Sequence, residues 1–449
     1  LTDGKRDEQA GDEAVDDRVD DEPRARDPGG DPAESARRLR SVLARHAIDT
    51  RPLALPAFRR LFLGEGTASV GSMLTQVAVP VQVYAISRSS LWVGMVGLAG
   101  LLPLIAFGLY GGAIADAVDR RLLYLWSSVG TWLVTLALLV QTLLGLGSVA
   151  LILGLVAVQA AGFAISDSTR GAIIPRIVAP DLIPAANALN YTIGTIGGVL
   201  GPLVAGVLVT LPHGFGYAYG TDALLFTTAL YSALRLPGMR PTGSGARLGL
   251  RAVADGLAFI AGRPVLIMSF VVDICAMVLA MPRSLFPAVA EERFHGPIGL
   301  GLLYAAIPIG SVVAGLASGW IGRVRRQGVA LTIAVIGWGA AVAVSGLAHQ
   351  LWLMALLLAV AGAADLVSAV LRQSIMQTYA PDQLRGRMQG VYTVVVSGGP
   401  RLGDLRAGGM ATALSASLSW TAGGIACVVI VAIAAPLVRP FWRYDSRAA

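Results

Sequence analysis

The chain has 449 residues, of which 55% are hydrophobic and only 14% charged, where average soluble domains carry roughly 25% charged residues; its formal net charge is +7. Lys5 is the only lysine among 35 basic residues and lies in no phosphate-binding loop, which excludes a built-in P-loop ATPase and argues against Schiff-base chemistry. His46, His213, His295 and His349 lack metal-ligand spacing, and Cys275 and Cys427 sit in apolar segments as small hydrophobes, so the chain is expected to be no enzyme and to use no metal or cofactor.

Residues 1–34 carry 13 acids and 5 bases, the reverse of a signal peptide's basic start, and 1–50 is expected to be a disordered extension outside the fold. From residue 61 the charges fall in clusters. The stretches 66–87, 89–115, 122–166, 182–221, 294–322, 327–364 and 407–438 contain none. A membrane-crossing helix needs about 20 apolar residues, so the shorter stretches hold one helix and those of about 40 residues a hairpin of two. Helices are predicted near 61–86, 91–115, 122–144, 149–174, 183–210, 217–234, 264–287, 298–320, 328–347, 351–378, 386–413 and 417–438. The expected fold class is an all-α integral membrane protein with twelve transmembrane helices in two pseudo-symmetric six-helix bundles.

The connections sort by charge. Alternate ones hold Arg120, Arg121, Arg170, Arg176, Arg235, Arg240, Arg247, Arg251, Arg263, Arg323, Arg325, Arg326, Arg372, Arg385, Arg387, Arg439, Arg443 and Arg447, while the others hold Arg88 and Arg293. Basic loops stay in the cytoplasm, which places both termini inside a bacterial inner membrane. The expected organisation is an N-terminal bundle over 51–236, a cytoplasmic linker over 237–263, a C-terminal bundle over 264–438 and a tail over 439–449. Within the linker, over 247–262, Arg247, Arg251 and Asp255 share one helical face, and Leu250, Val253, Leu257 and Ile260 lie on other faces. This pattern suits a helix lying along the inner leaflet, with an ordinary linker as the alternative.

The two halves repeat. Ala161, Gly162, Asp167, Arg170 and Ala179-Pro180-Asp181 recur as Ala361, Gly362, Asp365, Arg372 and Ala380-Pro381-Asp382, and Gly201-Pro202 recurs as Gly399-Pro400. Paired halves with a binding site between them near the midplane are a transporter architecture.

The connection after the second helix runs from Gly112 through Asp116 to Asp119, Arg120 and Arg121. It resembles the signature of the major facilitator superfamily, with Ala117 where that family usually has a base. In the fifth helix, Gly197, Gly201, Pro202 and Gly206 look like the antiporter motif of its drug-exporting branch. Further segments are similar to the enterobactin-exporter-like group: 57–64, 290–293 with 299–304, 361–372, and Gly398-Gly399-Pro400-Arg401 through Asp404. Arg406 stands where that group has an acid. The resemblance spans 55–438 and implies proton-linked export of siderophores or other amphipathic small molecules.

Ionisable residues inside membrane spans are costly and mark function or fixed pairs. Asp167 is expected to pair with Arg120 or Arg121, and Asp365 with Arg323 or Arg325. These would be gates at the cytoplasmic end, or else static salt bridges. Arg401 and Asp404 share a helical face at i, i+3; they either neutralise each other or form a substrate- or proton-handling site. Asp273 is the other coupling candidate, followed by Asp222, and Gln76 and Gln82 are candidates to line a cavity. The partners expected are an amphipathic small molecule, protons and the lipid bilayer, with no nucleic acid. The function read from all this is secondary export; the rivals are a general multidrug antiporter and a non-transporting membrane sensor or scaffold.

Reporter fusions near Arg88, Gly147, His213, Arg293, His349 and Ser417 should read as external, and fusions at both termini as cytoplasmic. A fusion at residue 240 that reads as external would overturn the twelve-helix count.

Overall fold

The computed structural model describes residues 49–239, 257–294, 299–379 and 385–445, without the side chains of 109–113, 115–117, 322, 385–387, 389 and 390. Residues 1–48 of the expected extension over 1–50, and 240–256 of the linker, including most of the expected interfacial helix over 247–262, therefore lie outside the described residues.

Among these residues the chain forms twelve successive helical rods: α1 (Pro56–Ser87), α2 (Ser90–Ala117), α3 (Arg120–Leu143), α4 (Val149–Ile177), α5 (Ile183–Leu208), α6 (Gly214–Leu234), α7 (Pro264–Phe294), α8 (Leu300–Leu316), α9 (Gln327–Leu347), α10 (Leu351–Tyr379), α11 (Arg385–Ala413) and α12 (Ala416–Leu437). Nine of them are long and apolar enough to cross a membrane. The other three are α6, α8, which has only 17 residues, and α11, which holds Arg401, Asp404 and Arg406 in its interior. In hydrocarbon a helix satisfies its own backbone, which is why the charge-free stretches take this form. Their outward faces bear leucines that water would not tolerate, among them Leu316 and Leu437 at 87% and 76% exposure.

The packing repeats as the sequence does. In the first half α1 packs on α5 and α6, α2 on α4, and α3 on α4 and α6. In the second half the partners are shifted by six: α7 on α11 and α12, α8 on α10, and α9 on α10 and α12. The halves join through α2 with α11 and α5 with α8, which are each other's counterparts under the same shift. Glycine makes these crossings possible. A Cβ on Gly301 of α8 would sit 2.7 Å from the Pro202 carbonyl oxygen and 2.9 Å from Gly206 Cα, both on α5. A Cβ on Gly94 of α2 would sit 2.6 Å from the Asp404 carbonyl oxygen of α11, and one on Gly408 would strike the Ser90 carbonyl. Backbone thus lies on backbone, the small-residue contact of membrane helices.

These crossings fall toward the arginine-poor end of the rods. Both exceptional arginines of that end are engaged there. Arg88, after α1, forms an ion pair with Glu291 of α7, tying the halves together. Arg293 donates to the carbonyls of Ala348 (2.8 Å) and Gly346 and to Ser417 Oγ (2.7 Å), closing the end of α9.

One rod is interrupted. The helix of α7 stops at Leu279 and restarts through a 3-10 turn, Arg283–Leu285, into Phe286–Phe294. Pro282 at the break has no N–H to give and a ring that disfavours unbroken helix. The sequence pattern predicts one helix over 264–287; the break divides it and the rod continues to Phe294.

Candidate functional site

The break in α7 leaves a C-terminal carbonyl and an N-terminal N–H without helical partners in the middle of the protein. Helix α11 supplies both. Arg406 Nε donates to the Val278 carbonyl (3.1 Å), and its Nη1 reaches the Ser419 carbonyl of α12 (3.4 Å). Asp404 Oδ1 accepts the Ser284 N–H (3.1 Å), while Ser284 Oγ donates to the Asp404 carbonyl (2.8 Å). The cation sits at a helix C-terminus and the anion at an N-terminus, the favourable sense for both dipoles. Arg406, where an acid is expected by resemblance, therefore serves the broken end of α7.

Arg401 and Asp404 do not form the expected ion pair. Arg401 turns back along its own helix and donates from Nη1 to the Ser397 carbonyl (2.7 Å), and Asp404 is claimed by Ser284. Their i, i+3 spacing gives them one face but not one another. Their place is nonetheless central to the assembly: Gly94 and Gly97 of α2 pack on the backbone of Asp404 and Arg401.

Asp273 pairs instead with Arg372 of α10, and both side chains are only 2% exposed. The Arg372 guanidinium lies 5.4 Å from the Tyr392 ring centroid of α11. Asp273 Oδ2 and Arg372 Nε have no further hydrogen bond. The loop sorting counts Arg372 among the basic connections; it lies inside the bundle, about two turns before the end of α10. Asp365 lies within the electrostatic reach of Asp273, Arg372 and Arg283. No ion pair joins it to Arg323 or Arg325 among the described residues, and both of those arginines are exposed.

The first half holds the counterpart. Arg170 of α4 donates to Asp167 on its own helix (2.6 Å) and pairs with Glu65 of α1 at 3.3 Å, so Asp167 has Arg170 rather than Arg120 or Arg121 for its cation. Arg121 donates to the Leu234 carbonyl (2.8 Å) and Arg120 to that of Ala172 (3.3 Å). Each half thus joins an arginine on its fourth helix to an acid on its first, about ten residues from the start of that helix. The first-half pair is about a quarter exposed, and the second-half pair is dry. Glu65, which the charge reading passes over, was discoverable as the acid lying about 200 residues before Asp273.

Asp119 caps α3, accepting from the Arg121 N–H (2.8 Å), and also holds the Met239 N–H (3.2 Å). Gly112 and Asp116 fall in the last turns of α2, and their side chains lie outside the described residues. Asp222 is sealed in the first half and accepts from Thr75 Oγ1 (2.6 Å) and Thr135 Oγ1 (3.4 Å). Gln82 is a buried hub, accepting from Tyr219 (2.7 Å) and Gln141 (3.2 Å) and donating to Thr142 (3.0 Å). With Gln141, Thr142 and His213 it lines a cavity of about 550 Å³ at the arginine-poor end. Gln76, also on α1, is exposed. Gly197 and Gly201 seat α5 on Ser69 and Met73 of α1, and Gly206 meets Gly301, so this glycine motif makes one contact within the half and one between halves.

Breaking the dry pair should be costly. Arg372→Ala leaves Asp273 buried without a cation and is expected to destabilise the purified protein by about 3–5 kcal/mol, whereas Arg372→Met with Asp273→Leu should recover most of the loss. Denaturant unfolding of both variants in detergent checks this; a single variant as stable as the wild type would contradict it.

Comparison with known proteins agrees with this architecture. The family described as Transmembrane secretion effector matches residues 48–448. The chain is 27% identical over 378 residues to the enterobactin exporters EntS of Citrobacter koseri and Shigella boydii, covering 84% of this chain and 90% of each relative. Among solved structures, the nucleoside transporter NupG superposes with a TM-score of 0.68 at 12% identity, covering 86% of this chain and 99% of NupG. A bacterial homologue of the iron transporter ferroportin, in an inward-facing state, superposes with a TM-score of 0.64 at 15% identity, covering 86% and 98%. Repeat packing, the glycine crossings and the match over nearly the whole chain lead to one conclusion: this multi-pass membrane protein belongs to the Transmembrane secretion effector family of major facilitator transporters.

Proposed function

We propose that the chain exports a siderophore-like amphipathic small molecule from the cytoplasm, driven by protons moving inward. All twelve rods cross the membrane, with the halves over 51–236 and 264–438 and the arginine-rich end in the cytoplasm. The observation that carries this reading is the way the halves meet. Their crossings, α2 on α11 and α5 on α8, lie toward the external end and are related by the internal repeat. Such a joint supports a cleft open to the cytoplasm that can close as one half rocks on the other.

The residues then divide by place. Gly112, Asp116, Arg120, Arg121, Asp167, Arg323, Arg325 and Asp365 belong to the cytoplasmic gate. Arg401 and Asp404 stand at the head of the cleft, with Gln76 and Gln82 as candidate lining on α1. Asp273, joined to Arg372, and sealed Asp222 are the coupling carboxylates, because a carboxylate held in a dry bundle responds strongly to whether it carries a proton. Export of a siderophore is favoured by the relatives named as enterobactin exporters.

Purified protein in liposomes, given a pH gradient of physiological sense, should move enterobactin uphill and lose that movement when the gradient is collapsed. Uphill movement of ethidium without enterobactin would transfer the cargo to the multidrug class. Movement of neither would favour the sensor or scaffold.

A further inference from the structure

Among the described charged residues where the halves meet, Arg283 is one to which the fold gives no task. It begins the 3-10 turn after the break in α7, and its side chain is exposed. Among the described residues its guanidinium makes neither a hydrogen bond nor an ion pair; its backbone carbonyl accepts from Tyr304 Oη of α8 (3.4 Å). Its position is deep. The next residue, Ser284, is bonded to Asp404, which lies nine residues, or about 14 Å of helix, from the nearer end of α11. The turn that carries Arg283 packs on both α11 and α2, so it stands where the two halves meet and not on the lipid face. A guanidinium in hydrocarbon is expensive, and the packing of its turn on α2 and α11 sets this one at the junction of the halves.

A second guanidinium, that of Arg401, stands near it. The charges of Arg283 and Arg401 both act on Asp404 and on each other, yet neither arginine closes an ion pair with that carboxylate. Asp404 lies within reach of both, with one oxygen already taken by the Ser284 N–H, and Asp365 of α10 also feels Arg283 without pairing with it. Arg406 faces away, into the carbonyls of Val278 and Ser419. Neither acid engages the Arg283 guanidinium, so its donors are free at the junction of the halves.

We propose that Arg283 and Arg401 form a clamp for an oxyanion of the cargo, making the transported class an anionic amphiphile that carries a carboxylate, a catecholate or a like group. This rests on the export reading and narrows its cargo. Guanidinium offers planar paired donors suited to adjacent oxygens, and such bonds keep their strength away from bulk water. Arg283 would supply the free fork, while Arg401 would adjust from its bond to the Ser397 carbonyl. Because Arg283 adjoins the α7 break and abuts the α2–α11 crossing, an anion bound there touches the joint on which the halves turn.

Fluorescein and rhodamine 6G share a xanthene frame and differ in the sign of their charge, and their binding to full-length protein in detergent can be read by fluorescence anisotropy. Fluorescein should bind the wild type, more weakly as salt rises. Arg283→Gln should weaken it by about tenfold or more, as the loss of a charge-assisted contact implies, and Arg283→Lys by less. Rhodamine 6G should bind Arg283→Gln at least as well as the wild type. The thermal midpoint should not move, since Arg283 holds nothing in place. Unchanged fluorescein affinity in Arg283→Gln, or an equal loss for both dyes, would overturn the clamp. Export itself is judged separately, by wild-type transport in liposomes: uphill movement there, with fluorescein binding indifferent to Arg283, would leave export standing and remove the clamp.

Discussion

The structure depends on backbone contact between its halves. At Gly206 on Gly301, and at Gly94 and Gly408 on α11 and α2, no side chain separates the helices. Contacts of this kind interlock little, so they can act as a bearing, whereas interdigitated side chains would have to be pulled apart. The position of the joint fixes the rest. The internal repeat makes the two crossings equivalent. A large residue at any of these glycines would push apart the two halves and not merely two helices.

The second constraint is the expense of charge within the bilayer. The ions placed inside the bundle are held by backbone, by each other or, for Asp222, by threonine hydroxyls. Asp404 and Arg406 satisfy the two broken ends of α7. Asp273 with Arg372, and Glu65 with Arg170, repeat one device in the two halves. In the second half it is sealed, while in the first it is partly open, so the two halves respond differently to water even though they fold alike. Among the described residues at the junction, Arg283 has a charge and no ion-pair or side-chain hydrogen-bond partner, which sets it apart from the ions whose work is to hold helices together.

Much of the fold was legible because hydrocarbon permits few solutions. The charge-free stretches mark the rods, and the predicted segments 328–347 and 351–378 lie within one residue of the observed α9 and α10 at either end. The repeat and the α5 glycines were legible for the same reason, since spacing along a helix determines which residues share a face. Partnership across helices was not. Arg401 and Asp404 share a face, yet the rotamer of Arg401 and the demand from the break in α7 separate them. Arg372 looked like a loop arginine because charge counting does not see depth near a helix end. The break itself had a signal, Pro282 beside Arg283 in an apolar stretch, and what the sequence concealed was that α11 holds the matching charges.

The central claim is that the halves exchange closure between the two ends of the cleft. Its most direct measurement is a pair of spin-label distances in a protein whose Cys275 and Cys427 have been replaced. One pair, at Ala179 and Thr378, reports the arginine-rich end, and the other, at Leu146 and His349, reports the arginine-poor end; all four positions are exposed. In liposomes with cargo and a pH gradient, the first distance should shorten as the second lengthens, with two populations in exchange. Both distances unchanged, or both changing in the same sense, would contradict the account.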